Sequence, residues 1–128
     1  MKYLCLGYLD KKKMDALPKE EIDAILLECQ SHLEELSNSG HMMIDAGLAQ
    51  EVKSLQRIGG KIKVNEGNLT QQDKIMGSAF ILEARNMEEA IRVASLHPTV
   101  QVSLGEQLGW EIEIRAIDSF ATKDQGDC

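Results

Sequence analysis

Aromatic side chains are scarce in this 128-residue chain: two Phe, two Tyr and one Trp make up 4 % of it. The core must therefore be built mainly from Leu, Ile, Val, Ala and Met. Long apolar runs are missing too, and nothing approaches the ~20 consecutive apolar residues that a membrane-crossing helix needs. The opening run from Met1 to Leu9 is too short for a signal peptide and gives way to charge at Asp10, so a cytoplasmic location is expected. Positive charge is in deficit, with 14 Lys and Arg against 21 Asp and Glu, a net charge of −7 and a pI near 4.9. Such a surface repels phosphate backbones, which argues against a nucleic-acid partner. The one basic run, Lys11-Lys12-Lys13, is flanked by Asp10 and Asp15 and reads as a solvated loop. Cysteine is limited to Cys5, Cys29 and Cys128, an odd number without metal-binding spacing. Cys5 and Cys29 read as small buried apolar residues and Cys128 as a free thiol on the tail. No disulfide framework is indicated, in keeping with a reducing compartment.

What is present is a succession of periodic segments. Tyr3 to Leu9 is apolar on both alternating faces, the pattern of a strand buried on both sides. From Pro18 to Ser39 the period lengthens. Ile22, Ile25, Leu26, Cys29, Leu33 and Leu36 form a helical stripe, Pro18 suits the first helical position, and Asn38-Ser39-Gly40 supplies the stop. Met42 to Leu48 predicts a strand. Val52 to Ile58 and Lys61 to Asn65 flank Gly59-Gly60, a hairpin signal. Glu66 to Lys74 is polar and aperiodic, a surface loop. Met76 to Ala84 predicts a strand with Met76, Phe80 and Leu82 on one face and Gly77, Ala79 and Ile81 on the other. A second helix opens at Asn86, with Glu89 in the third position of a capping box, and His97-Pro98 closes it. Glu111 to Ile117 alternates as a final strand. Residues 118–128 read as a polar, frayed tail behind a single domain of residues 1–117.

Two halves that each run strand, helix, strand indicate an α+β domain: a ferredoxin-like, split βαβ antiparallel sheet with both helices on one face. Two helices cover only one face, yet the first and fourth strands are apolar on both. A sheet-to-sheet homodimer, forming a dimeric α+β barrel, is the simplest way to cover the remainder.

Motifs that announce chemistry are absent: there is no P-loop, GxGxxG, CxxC pair, HExxH or GxSxG. No metal and no cofactor is expected. Three histidines remain. His32, with Glu28 and Glu35 a turn away, reads as a helix-surface residue, and His41, next to Gly40 with Asp45 on the same strand, as a turn residue. His97, expected in the last turn of the second helix, would be held protonated by the helix dipole or would cap its carbonyls. Glu113 and Arg115 share a face of the last strand, and Glu83 is expected to join them beside the small Gly77 and Ala79. Charged groups that must be paired or hold a ligand, next to unfilled volume, make His97, Glu83, Glu113 and Arg115 the candidate ligand-binding set.

The chain resembles the YCII-related (DGPF-domain) proteins. The resemblance is carried by Met1-Lys2-Tyr3-Leu4-Cys5-Leu6-Gly7-Tyr8, the helix closing on Gly40, Gly47-Leu48, Gly77-Ser78-Ala79-Phe80-Ile81-Leu82-Glu83-Ala84, Glu89-Ala90, Ala94, His97-Pro98 and Ile112-Glu113-Ile114-Arg115-Ala116-Ile117. It implies a dimeric α+β barrel with a cleft, in a family whose biochemical role is largely unsettled. Where that family writes Asp-Gly-Pro-Phe followed by a glutamate and a lysine, this chain has Glu66-Gly67-Asn68-Leu69, then Gln71 and Asp73. The candidate catalytic histidine of the name-giving bacterial members falls at Glu28, with His32 one turn later. His97-Pro98 and Glu113-Ile114-Arg115 do carry over, and the resemblance implies that they line or support the cleft. Two functions follow as expectations: a dimer binding a small polar metabolite, or a cofactor-free enzyme doing general acid/base chemistry on a small organic acid, with His97 or Glu113 carrying the proton.

Overall fold

The computed structural model describes residues 1–69 and 74–122. Gln71, Asp73 and Cys128 lie outside the described residues, as do the middle of the expected surface loop and the end of the tail. The first strand, β1 (Lys2–Asp10), is central in the main sheet. Asp10 then turns from strand to cap: its carboxylate accepts the Lys13 N–H at 3.1 Å and opens α1 (Lys11–Asp15). The expected lysine loop is therefore a short helix. An aspartate before the first turn suffices to satisfy its free N–H groups, and Lys11 pairs with Asp15 one turn on.

Pro18 serves as the N-cap of α2 (Lys19–Asn38) and not as its first residue. Glu20 and Glu21 complement the positive end of the helix dipole, and Gly40 takes the left-handed conformation, φ +80°, that ends it. Then follow β2 (Met42–Gly47), β3 (Lys53–Ile58) and β4 (Lys61–Glu66). Gly59 and Gly60, φ +59° and +80°, make the tight hairpin turn between β3 and β4 that only such residues adopt without strain. β5 (Lys74–Glu83) returns through the middle of the sheet, and Asn86 caps α3 (Met87–Ala94) by accepting the Glu89 N–H. Glu89 reaches back to the Arg85 N–H, one residue earlier than in a standard capping box. α4 (Pro98–Gln101), a 3-10 turn over Ser103–Glu106 and β6 (Glu111–Ala116) complete the chain.

The four-stranded sheet has the order β2-β5-β1-β6 and is antiparallel throughout. β1-α2-β2 and β5-α3-β6 interleave, so the α+β, ferredoxin-like split βαβ expectation holds. Helices α2 and α3 share one face. There Cys5, Leu36, Phe80, Leu82, Val93 and Ala94 form the central core, and Tyr3, Ala84 and Ala90 extend it. Ile25, Val102 and Leu108 seal the far end, beneath α2 and the segment after α4. Each fully buried Leu or Phe contributes roughly 1.5–3 kcal/mol, which makes this layer the main source of stability.

A bulge between Gly7 and Tyr8 changes the expected faces of β5. Gly7 lies opposite Ser78, but Tyr8 lies opposite Met76, so Gly77 is the extra residue. Because side chains alternate, one inserted residue moves Met76 off the Phe80 side. The hairpin β3–β4 stands outside the main sheet as a separate two-stranded ribbon. Leu55, Ile62 and Val64 lie on one of its faces and are all exposed.

Candidate functional site

The second helix ends at Ala94, three residues before His97. His97 is the N-cap of α4 instead: the Thr99 N–H donates to its Nδ1 at 3.1 Å, and Pro98 fills the first position of the new helix. The expectation of a protonated imidazole at a helix C-terminus is thereby overturned. The ring is 4 % exposed, stacked on Phe80 with centroids 4.2 Å apart, and burial pushes its pKa down to about 4. A ring nitrogen that accepts a hydrogen bond carries no proton, so the neutral imidazole holds its hydrogen on Nε2.

His97 Nε2 points towards Asp45 Oδ1, 3.8 Å away. Asp45 reaches that place because it lies opposite Phe80 in the β2–β5 register, on the helix-covered face, while its neighbours Ile44 and Ala46 lie opposite Ile81 and Ala79 on the other. Its side chain is 26 % exposed, and desolvation raises its pKa. Neither group is neutralised by the other, since the imidazole is uncharged at pH 7.

Between these two side chains and α2 lies a cavity of about 250 Å³. Gly7, Leu9, Gly47, Gly77 and Ser78 form its sheet wall, Leu26, Cys29 and Leu33 its helix wall, and Thr99 and Trp110 one end. The glycines make the room. A Cβ on Gly7 would lie 2.2 Å from Ser78 Oγ and 3.3 Å from Thr99 Oγ1, and one on Gly77 would lie 2.8 Å from Leu9 Cδ2. Cys29 faces this space half-covered, and burial, followed by the nearby Glu28 charge, pushes its thiol pKa up, which disfavours the nucleophilic thiolate. Among the described residues no group of three or more His, Cys, Asp or Glu is arranged to hold a metal ion.

The other candidate residues lie elsewhere. Glu113 and Arg115 are opposite Leu6 and Leu4, on the face that no helix covers. Tyr8 is beside them; burial first, then the charge and hydrogen bond of Glu113, raise its pKa, and Arg115 pulls against them. Glu83 is the last residue of β5, 3.8 Å from both the Met1 amino group and Lys2 Nζ, and its carbonyl oxygen holds His41 Nδ1 at 2.9 Å. Within one chain His97 is thus separated from the other three by the thickness of the sheet. His32 is half-exposed on α2.

The YCII-related domain description matches residues 1–109. The chain belongs to the YCII-related family. Comparison with curated proteins gives no match. The match stops short of β6, yet in this YCII-related chain β6 pairs along β1 from Tyr3–Ala116 to Tyr8–Glu111 and completes the sheet. No helix among the described residues is long and apolar enough to cross a membrane.

Asp45, named in the sequence only beside His41, faces His97 in the fold. It was visible as the one charged residue within the strand Met42–Gly47, beside glycines that mark space. Ser78, Thr99 and Trp110 carried no such signal, because only the fold places them around His97.

Proposed function

We propose that this YCII-related chain is a small-molecule-binding protein whose site is the cavity between α2 and the main sheet, with His97 and Asp45 orienting the ligand. The observation that carries the reading is their shared opening onto that cavity. An Nε2–H donor and a carboxylate acceptor, each with unused hydrogen-bonding capacity, meet there above a mostly apolar wall. The volume of about 250 Å³ suits a ligand smaller than a typical drug. The protein acts as a homodimer through the uncovered sheet face, where Leu4, Leu6, Ile81, Ala79 and Ile44 form an apolar surface bordered by Glu113 and Arg115. Those two residues then contribute to the interface and are available to a ligand within the barrel.

A nuclear-magnetic-resonance titration with small polar metabolites and fragments tests both locations. Shifts clustered at Asp45, His97 and Trp110, and lost in Cys29→Phe, support the helix-side cavity. Shifts confined to Glu113, Arg115 and Tyr8 move the site to the barrel, and none at all in either place removes the binding reading. For the dimer, Leu6→Glu is expected to halve the mass seen by sedimentation equilibrium; a wild-type monomer rejects it.

A second reading is favoured by Asp45 itself. A carboxylate whose pKa is raised by desolvation, 3.8 Å from a neutral imidazole donor, is a general base with an adjacent hydrogen-bonding group to polarise a substrate. Turnover of a ligand found in the titration, lost in Asp45→Asn with binding retained, would distinguish enzyme from binding protein.

A further inference from the structure

The cavity also carries a statement about ligand charge, which rests on the reading that it is a binding site. Asp45 is the one acidic side chain among its lining residues, and none of them is Lys or Arg. His97 is the nearest group able to carry positive charge, and its Nδ1 is committed to accepting the Thr99 N–H. A second proton would have to break that bond and the cap of α4. Among the described residues the Asp45 carboxylate therefore lines a mostly apolar space without a cationic partner, and a partly desolvated charge in such a place is stabilised by a counter-charge.

We propose that the cavity takes a small apolar amine in its protonated form, with the ammonium on Asp45 and the hydrocarbon body against Leu9, Leu26, Leu33 and Pro98. The imidazole Nε2–H, itself a donor, turns the ammonium away from the His97 side and so orients it onto Asp45. Carboxylates and phosphates are rejected, because they would meet the Asp45 charge with no Lys or Arg among the lining residues to offset it. Uncharged alcohols of the same shape fit the walls but gain only an ordinary hydrogen bond, whereas a bond between two charged groups is about twice as strong.

Cyclohexylmethylamine, cyclohexylmethanol and cyclohexanecarboxylate share one body and differ in head group. Trp110 is the chain's one tryptophan and lines the cavity, so its fluorescence reports occupancy without a label. At pH 7.5 the amine is expected to bind about tenfold or more tightly than the alcohol, and the carboxylate to leave Trp110 unchanged. In Asp45→Asn the amine should lose that advantage while the alcohol binds within about threefold of its wild-type affinity. Asp45→Ser serves as the second variant should the amide disturb β2. Carboxylate binding equal to the amine, or an amine preference that survives both substitutions, overturns the charge assignment but leaves the cavity as a site. If none of the three compounds changes Trp110 emission, the cavity reading falls with it.

Discussion

Phe80 and Ile81 are neighbours in β5, yet they live in different solvents. Phe80 is sealed beneath the helices between Cys5, Leu36 and Val93, with the His97 ring stacked on it. Ile81 lies opposite Leu4 and Ile44 on the uncovered face, and Ile44 is 51 % exposed. The polar residues divide in the same way. On the helix side a histidine is stripped of its charge by burial. On the open side of a single chain Glu113 and Arg115 are exposed, and each acts on the Tyr8 hydroxyl, in opposite directions. One sheet thus supplies a dry face, where a single carboxylate matters, and a wet one, where several charges matter little. Burial sets the energetic weight of a group more strongly than its chemical type.

The sharpest way to break this contrast is to truncate the two neighbours in turn. Phe80→Ala should cost about 3–5 kcal/mol in urea unfolding followed by circular dichroism, and should also release His97 from its stack. Ile81→Ala should cost clearly less in dilute protein, and its cost should grow with protein concentration if the open face pairs with a second copy. Equal, concentration-independent losses would erase the distinction between the faces.

Next in size is an acid effect confined to the dry face. The imidazole of His97 is ordinarily half-protonated at 6.5, and burial lowers this to about 4 in the fold. Between those values the unfolded chain binds a proton that the native chain does not. The stability contributed by keeping His97 neutral is therefore complete above about pH 6.5 and is lost as pH falls to about 4, a decline of about 3 kcal/mol. Asp45 acts in the opposite sense: its pKa is raised, so acid relieves the cost of its charge. Unfolding free energies for wild type and His97→Gln at several pH values separate the two; the substitution should flatten the decline in that window.

Smaller again is the cap of α3. Asn86→Ala removes the acceptor of the Glu89 N–H and should cost about 1 kcal/mol, read as a lowered melting temperature. The smallest effect belongs to the wet face. In dilute, dissociated protein Glu113→Gln should change stability by no more than about 0.5 kcal/mol, with the tyrosine titration of Tyr8 moving down as its acidic neighbour is lost. A large loss there would mean that the open face is sealed in solution.

The local elements were legible in the residues because their causes are local. Asn86 and Glu89 capping α3, Gly59-Gly60 turning the hairpin, and the stripe from Ile22 to Leu36 on α2 each act within a few positions of one another. The apolar character of both faces of Tyr3–Leu9 likewise sufficed to place β1 inside the sheet. The lysine run carries the charge pattern of a solvated loop, and the capping Asp10 that makes it a helix gives no periodic signal.

The site was not legible in this way. His97-Pro98 looks like a helix ending, and only the packed chain makes it the start of α4, since Thr99 supplies the N–H and Phe80 the stacking surface. The bulge at Gly77, one residue long, leaves no periodic trace, yet it shifts the early part of β5, Lys74 to Met76, relative to Phe80 and opens room beside Leu9. Sequence by itself determined the six strands and two main helices in their order, the hairpin turn and the cap of α3, and an α+β sheet with helices on one face, because hydrophobic period and capping act over short distances. Tertiary structure alone decided that His97 is neutral, that Asp45 faces it, and that Glu113 and Arg115 lie on the far side of the sheet. Cavities and titration depend on neighbours brought together from β1, α2, β2, β5 and α4, and no short stretch of chain contains that information.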